Sequence, residues 1–431
     1  MQRFYPDRFL KKLANLQLAI GLLLTIGIVV AIGTVIEQDQ ALSFYQQNYP
    51  EERPVLGFIN WKILTFLDLD HIYTSVWFTI LLFFLAASLL SCSLTVQFPV
   101  LRRLRRWKFY TNPQNANGIA KTLSLNTTNK VAYHLNGSQY TIFRQGKKNY
   151  AYTGLLGRFG PIVVHASIIL LLVGSTIGAF GGYIAQEIVP RGEIFHTQNV
   201  ITSGGWSEIS QDVSWRVNDF WITYTADFKT NQFYSDLSLL DNFGNEVKRK
   251  TVFVNEPLVY KGVTLYQTDW DIVGLKYNRP GSQSIQLPLK KVVKSGQKFW
   301  FGSIKDNSLS APKIFSILVN DLRGNIYIYN EKGTLIQECI LGQRVDLTSD
   351  TSLTFSEFLT STGLQIKADP GIRTVYLAFF LLMVSTYVSF ISYSQIWGAE
   401  KPNQFNTAGN SNRAVLFFQS EFKRILSRSE R

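Results

Sequence analysis

"GRFGPIVVHASIILLLVGSTIGAFGG", residues 157–182, decides how the chain is read. From Ile162 onward it is apolar for long enough to cross a bilayer, which takes about 20 residues at 1.5 Å each. Into that run the sequence places His165. An ionisable side chain inside a span is costly, and is a functional candidate by default. Three more runs share the character: Leu16–Ile36, Val76–Phe98 and Arg373–Trp397, with this one taken as Ile162–Ala185. The expected fold is a polytopic membrane protein with four transmembrane α-helices.

The net charge of +13 over 431 residues is distributed unevenly. Residues 98–161 hold eleven basic side chains and no acidic one, and include "LRRLRRWK" at 101–108. Residues 37–75 hold two basic and six acidic side chains, and residues 186–372 hold nineteen and twenty. Basic residues near span ends mark the side that is not translocated. Segments 1–15, 99–161 and 398–431 are therefore expected on the cytoplasmic or stromal side, and 37–75 and 186–372 on the exported side. Topology and anionic lipid headgroups account for the basic runs, so no nucleic-acid partner is expected. The first apolar run exceeds a signal-peptide core and no small-residue cleavage pattern follows it, which reads as a retained anchor.

Between the third and fourth spans the pattern has period two. "SWRVNDFWITYTADF" (214–228) alternates apolar with polar residues, while "YSDLSLLDNFGNEVKRKTVFVN" (234–255) and "IYIYNEKGTLI" (326–336) read as hairpins. A large all-β, sandwich-like exported domain is expected. Residues 121–154 also alternate, so a small β-meander is expected there, with His134 on a strand "VAYHLN" and turns at "LNGS" and "RQGKK". After Trp397, "GAEKPNQFNTAGNSNRAV" reads as a flexible linker, and "VLFFQSEFKRILSR" as a short amphipathic helix on the membrane surface.

A histidine within a span serves as proton relay, as metal or haem ligand, or as a neutral imidazole bonded to a neighbouring helix. Haem held by two histidines needs a second ligand at the same depth. His71 and His196 are expected at the far face, roughly 30 Å away, and His134 on a soluble strand. If His165 ligates iron, another chain completes the site. Gly174, Gly178 and Gly182 form a small-residue face suited to close helix approach. Cys92 and Cys339 belong to no C-x-x-C pair and are expected on opposite sides of the bilayer, which argues against a thiol relay. Neither a phosphate-binding loop, a Ser–His–Asp order nor a metal-spaced His/Cys cluster is present. The spans also lack the acidic residues an ion-coupled transporter would use, and no catalytic residue is assigned.

Taken in order, "LDLDHIYTSVWFTILLFFLAASLLSC", "GRFGPIVVHASIIL", "VNEPLVYKGVTLYQTDW" and "DPGIRTVYLAFFLLMVSTYVSFISYSQIW" resemble the ResB/CcsB-type cytochrome c biogenesis proteins, in their plastid and cyanobacterial form. The resemblance runs from Leu13 to Trp397. It implies a subunit, co-catalytic or non-catalytic, of a complex that brings haem to apocytochromes c and attaches it. The implied partner is a CcsA-type haem-handling membrane protein, and the implied place a thylakoid membrane with the large domain in the lumen. His165 maps to the family's third-span histidine, implying an axial ligand to a haem b shared transiently with that partner. Cys92 matches a second-span cysteine without an assigned role. Tyr266 and Trp270 would either guide the apocytochrome or fill the core, and Asn255 and Gly262 would shape turns. The competing reading is an assembly scaffold that binds only protein.

Overall fold

The computed structural model describes residues 8–430, apart from 56, 101–106, 117, 210–212, 295–296, 307–312 and 349–350. The basic run at 101–106 thus lies outside the described residues. The chain forms two compact units: residues 1–179 with 371–431, and residues 180–370.

Four helices of the first unit are long and apolar enough to cross a membrane: Leu16–Val35, Val76–Val100, Gly160–Gly181 and Ile372–Ser389. Large apolar side chains such as Leu24, Phe83 and Met383 stay exposed along them, as expected of surfaces that lipid covers. Two spans are shorter than their sequence limits. The third ends at Gly181 rather than Ala185, and the fourth at Ser389 rather than Trp397. In both places the apolar run continues as a strand, Tyr183–Pro190 and Ser394–Lys401, because hydropathy alone does not separate a span from a buried strand.

A short helix, Arg8–Leu13, precedes the first span and is tied to the second. Ser88 and Ser91 of the second span donate to the Leu13 and Leu10 carbonyls at 2.7 and 2.6 Å, and the Leu10 carbonyl also accepts from the Ala14 N–H. The loop 37–75 is folded, with helices Leu42–Asn48 and Trp61–Phe66 and a small core of Ile36, Tyr45 and Leu64.

Strands from both halves of the first unit build one antiparallel sheet, in the order Ile119–Ser124, Gln404–Ser411, Ser394–Lys401, Lys148–Thr153, Thr141–Gln145. Three expectations are corrected here. The segment around His134 is a helix, Thr128–Gly137, not a strand. Val131 and Leu135, four apart, are buried while Tyr133 is 77 % exposed, which is helical periodicity. Next, residues 404–411 of the expected flexible linker form a central strand of the sheet. Finally, the amphipathic helix exists, as Val415–Glu430, but its apolar stripe does not face a membrane. Phe418, Phe422, Ile425 and Leu426 pack with Leu123, Val131 and Phe405 in the core of this small domain.

The second unit contains, among its described residues, only strands as regular structure. The strand readings at 214–228, 234–255 and 326–336 hold, as Ser214–Tyr224, the hairpin Thr230–Leu240 with Glu246–Phe253, and the hairpin Asn325–Tyr329 with Leu335–Ile340. A seven-stranded sheet lies at its centre, beside sheets of four and five strands. Two long paired strands, Val263–Asn278 and Ser352–Ala368, run through both of its cores. Leu265, Leu364 and Ile366 pack against Trp215, Val217 and Leu237 at one end. Ile272, Leu275 and Phe355 pack against Trp300, Ile317 and Ile328 at the other. The sandwich is therefore double, and a bulge at Gln267/Asp269 marks the passage between its halves. There Thr362 donates to the buried Gln267 side chain at 3.0 Å, and Ser235 also reaches it.

Candidate functional site

Gly160 and Pro161 open the third span, Pro161 standing in the first turn where its missing N–H costs nothing. His165 follows one turn later, half-buried. The span packs closely on the fourth: a Cβ at Gly371 would lie 2.0 Å from the Gly174 carbonyl oxygen and 2.7 Å from the Gly178 nitrogen. The Gly174–Gly178 face thus serves helix contact. Gly182 lies beyond the helix end.

The second span supplies the groups around His165. That helix widens to a π-turn at Ser93–Gln97, with the Phe98 N–H donating to the Ser93 carbonyl. Pro99 gives the physical reason. It has no N–H for residue 95, and its ring would press on that carbonyl in an unbroken α-helix. π-turns recur at functional sites. Ser93 Oγ lies 3.1 Å from His165 Nδ1, and Gln97 Nε2 lies 3.3 Å from both ring nitrogens. Equal distances place the amide over the ring rather than in its plane. Gln97 Oε1 is buried without a hydrogen-bond partner. The arrangement sets a serine hydroxyl and a glutamine amide of the second span against one imidazole of the third.

The other histidines are not brought to it. His71 precedes the second span, with Nδ1 3.0 Å from Asp70 and Nε2 3.5 Å from Asp68. His134 lies in the last turn of helix Thr128–Gly137 and lines a cleft with Arg424 and Arg428. His196 is exposed between two strands of the second unit. Among the described residues no group of three His, Cys, Asp or Glu side chains could hold a metal ion.

Both cysteines are unbridged. Cys92 ends the α-helical part of the second span. Cys339 is buried, its Sγ 3.7 Å from the Ile326 carbonyl, and burial with Glu338 nearby pushes its thiol up to about 11. Trp270 stacks on Trp300 at 5.2 Å and on Phe220 at 6.3 Å, so it packs the core. Tyr266 is half-buried on the same strand. Asn255 and Gly262 adopt φ of 68° and 87°, the left-handed turn conformation expected of them. Ser93 and Gln97 were legible as polar residues four apart in an apolar helix. Attention to ionisable groups alone passes over them.

The ResB-like family profile matches residues 16–299. The chain is 57 % identical over 424 residues to the cytochrome c biogenesis protein Ccs1 of Emiliania huxleyi, covering 98 % of this chain and 96 % of that one. It is 44 % identical over 427 residues to Ccs1 of Porphyra purpurea, covering 98 % and 96 %. To the cytochrome c biogenesis protein CcsB of Picosynechococcus sp. it is 42 % identical over 424 residues, covering 98 % and 91 %. Profile and relatives span both units and all of the first three spans, and the chain belongs to the ResB-like family, whose matched relatives are cytochrome c biogenesis proteins.

Proposed function

We propose that the chain works in the maturation of c-type cytochromes as one subunit of a membrane complex that moves haem to the exported side and presents it to apocytochrome. One observation carries the reading: an intramembrane imidazole held by the second span, with no second histidine beside it among the described residues. Imidazole nitrogen suits haem iron, and one such donor is half of a two-histidine axial set. The residues present therefore fit haem as a shared ligand, with His165 as this chain's contribution and a CcsA-type partner supplying the other. Bound haem would supply the iron and the vinyl groups that react with cysteine thiols. This chain's own part is to fix one axial nitrogen at a defined depth and to shield it with the third and fourth spans.

The charge asymmetry supports a topology in which the small sheet domain stays on the cytoplasmic or stromal side and the β-unit is exported. The plastid-type and cyanobacterial relatives support a thylakoid membrane, with the β-unit in the lumen.

The test is an optical spectrum of the complex purified with its CcsA-type partner, wild type against His165→Ala, with and without imidazole. The expected result is a haem band lost in the variant and restored by imidazole. An unchanged band with intact cytochrome assembly would reduce His165 to helix packing and leave a protein-binding scaffold.

A further inference from the structure

The third span ends beside an exposed tryptophan. Val173, Ile177 and Phe180 stand four and three residues apart, on one face of the helix Gly160–Gly181, and Val173 and Ile177 are exposed. On a membrane-spanning helix such a stripe is the side that lipid covers. The helix is about 33 Å long at 1.5 Å per residue, against about 30 Å of hydrocarbon. Phe180, one residue from its end, therefore lies at the boundary between hydrocarbon and headgroups.

Trp206 of the β-unit sits on the Phe180 ring. The ring centroids are 5.1 Å apart, and the Trp206 N–H donates to the Phe180 carbonyl at 2.8 Å. The Gly204 N–H donates to the Gly182 carbonyl at 2.9 Å. The Phe180 carbonyl is one of the last four of the helix, which no N–H within it reaches. Both bonds hold loop 204–207 against the helix end, and the Ser207 N–H closes the loop on the Gly204 carbonyl at 3.0 Å. The indole is nevertheless 69 % exposed. A single exposed tryptophan on a soluble surface asks for no partner. Trp206 differs, because it is fixed at the depth of a span end and prolongs a lipid-facing stripe.

We propose that Trp206 is seated in the interfacial layer of the bilayer, and that loop 204–207 thereby clamps the first residues of the β-unit to the membrane surface. An indole suits that layer, since its ring is apolar while its N–H finds acceptors there. The occupant is lipid rather than another protein chain, because the indole continues a surface that lipid already covers. The inference needs only that the helix Gly160–Gly181 crosses the bilayer, so it stands or falls apart from the reading of His165.

The chain has nine tryptophans, so the emission of Trp206 is read as the difference between wild type and Trp206→Phe. The protein is placed in phosphatidylcholine nanodiscs, with the lipid plain or brominated near the glycerol end or near the chain ends. The difference emission should lose most of its intensity to the first brominated lipid and much less to the second, and iodide in the water should quench it weakly. Strong quenching by iodide with none by bromine would place the indole in water and overturn the proposal. Quenching by neither would place it under protein and overturn it equally. The clamp is read by amide exchange at positions 204 and 206 in the same nanodiscs. Trp206→Glu should speed exchange there several-fold, with Trp206→Tyr close to wild type. Exchange in Trp206→Glu equal to wild type would show a loop held by its backbone bonds alone, and would overturn the clamp.

Discussion

The phenol oxygens of Tyr150 and Tyr393 lie 3.0 Å apart, 243 positions apart in sequence. Gln395 donates to both, at 2.6 and 2.9 Å, and the Arg158 guanidinium stands 5.1 Å from the centre of the Tyr393 ring. One strand that precedes the third span is thereby joined to the first residues after the fourth. Tyr393→Phe deletes a buried hydroxyl that takes part in two of these bonds. It should cost about 1 kcal/mol, read as faster amide exchange in residues 148–153 and 394–399. Exchange unchanged in those strands would show that water replaces the hydroxyl without loss.

Phe422 is fully buried against the small sheet. Its removal in Phe422→Ala should destabilise the small domain by about 3–5 kcal/mol. Protease nicking between residues 119 and 153 would report the change. A helix that merely lay on the membrane would give no new cleavage there.

Gly371 and Gly174 make different demands. A Cβ at Gly371 would lie 2.0 Å from a backbone carbonyl, whereas one at Gly174 would meet Val375 Cγ2 at 3.0 Å, a side chain able to shift. Gly371→Ala should therefore lower the thermal midpoint of the purified protein more than Gly174→Ala. Overpacking of this kind costs about 1–3 kcal/mol. The reverse order would mean that the third and fourth spans do not approach as described.

Burial raises the Cys339 thiol from 9 to about 11. The neutral thiol is the form the fold favours, so its contribution to stability is present below about pH 9 and is lost as pH rises through 11. At pH 8 the thiolate needed for alkylation should be about 100-fold scarcer than in an exposed cysteine. Maleimide labelling of native protein should accordingly leave Cys339 unmodified until denaturant is added.

Phe243 is 90 % exposed in the β-unit and Tyr133 is 77 % exposed in the small domain. In a Cys92→Ser background, Phe243→Cys should react with a membrane-impermeant maleimide only from the exported side, and Tyr133→Cys only from the other. Labelling of both from one side would overturn the proposed topology, and an exchange of sides would invert it.

The spans and the β-unit were legible because each writes its burial locally. Twenty apolar residues need lipid, and "DNFGN" between alternating runs needs a turn. Residues 404–411 wrote nothing comparable. Asn406, Thr407 and Ala408 are buried by the helix Val415–Glu430 on one face and by aromatic residues around Trp397 on the other, and polar small residues carry no period that foretells such cover. At His134, "VAYHLN" satisfied both periods, and the spacing of Val131 and Leu135 was the deciding one. His165 was legible as an anomaly of burial. Its partners left a weaker mark, two polar residues four apart in the second span, whose role shows only when a second helix is laid against them.

The small sheet also sets an order of events during synthesis. Ile119 pairs with Gly409, and Tyr150 with Trp397, so its early strands are made long before their partners exist. At about 5–20 residues per second the ribosome needs roughly 10–50 s to cover the gap. In that time two spans and the whole β-unit are made, and the β-unit can fold. Closure of the sheet is thus a late assembly step. A chain halted short of residue 394 would carry its β-unit and yet expose unpaired strand edges to the cell's proteases, marking itself as unfinished.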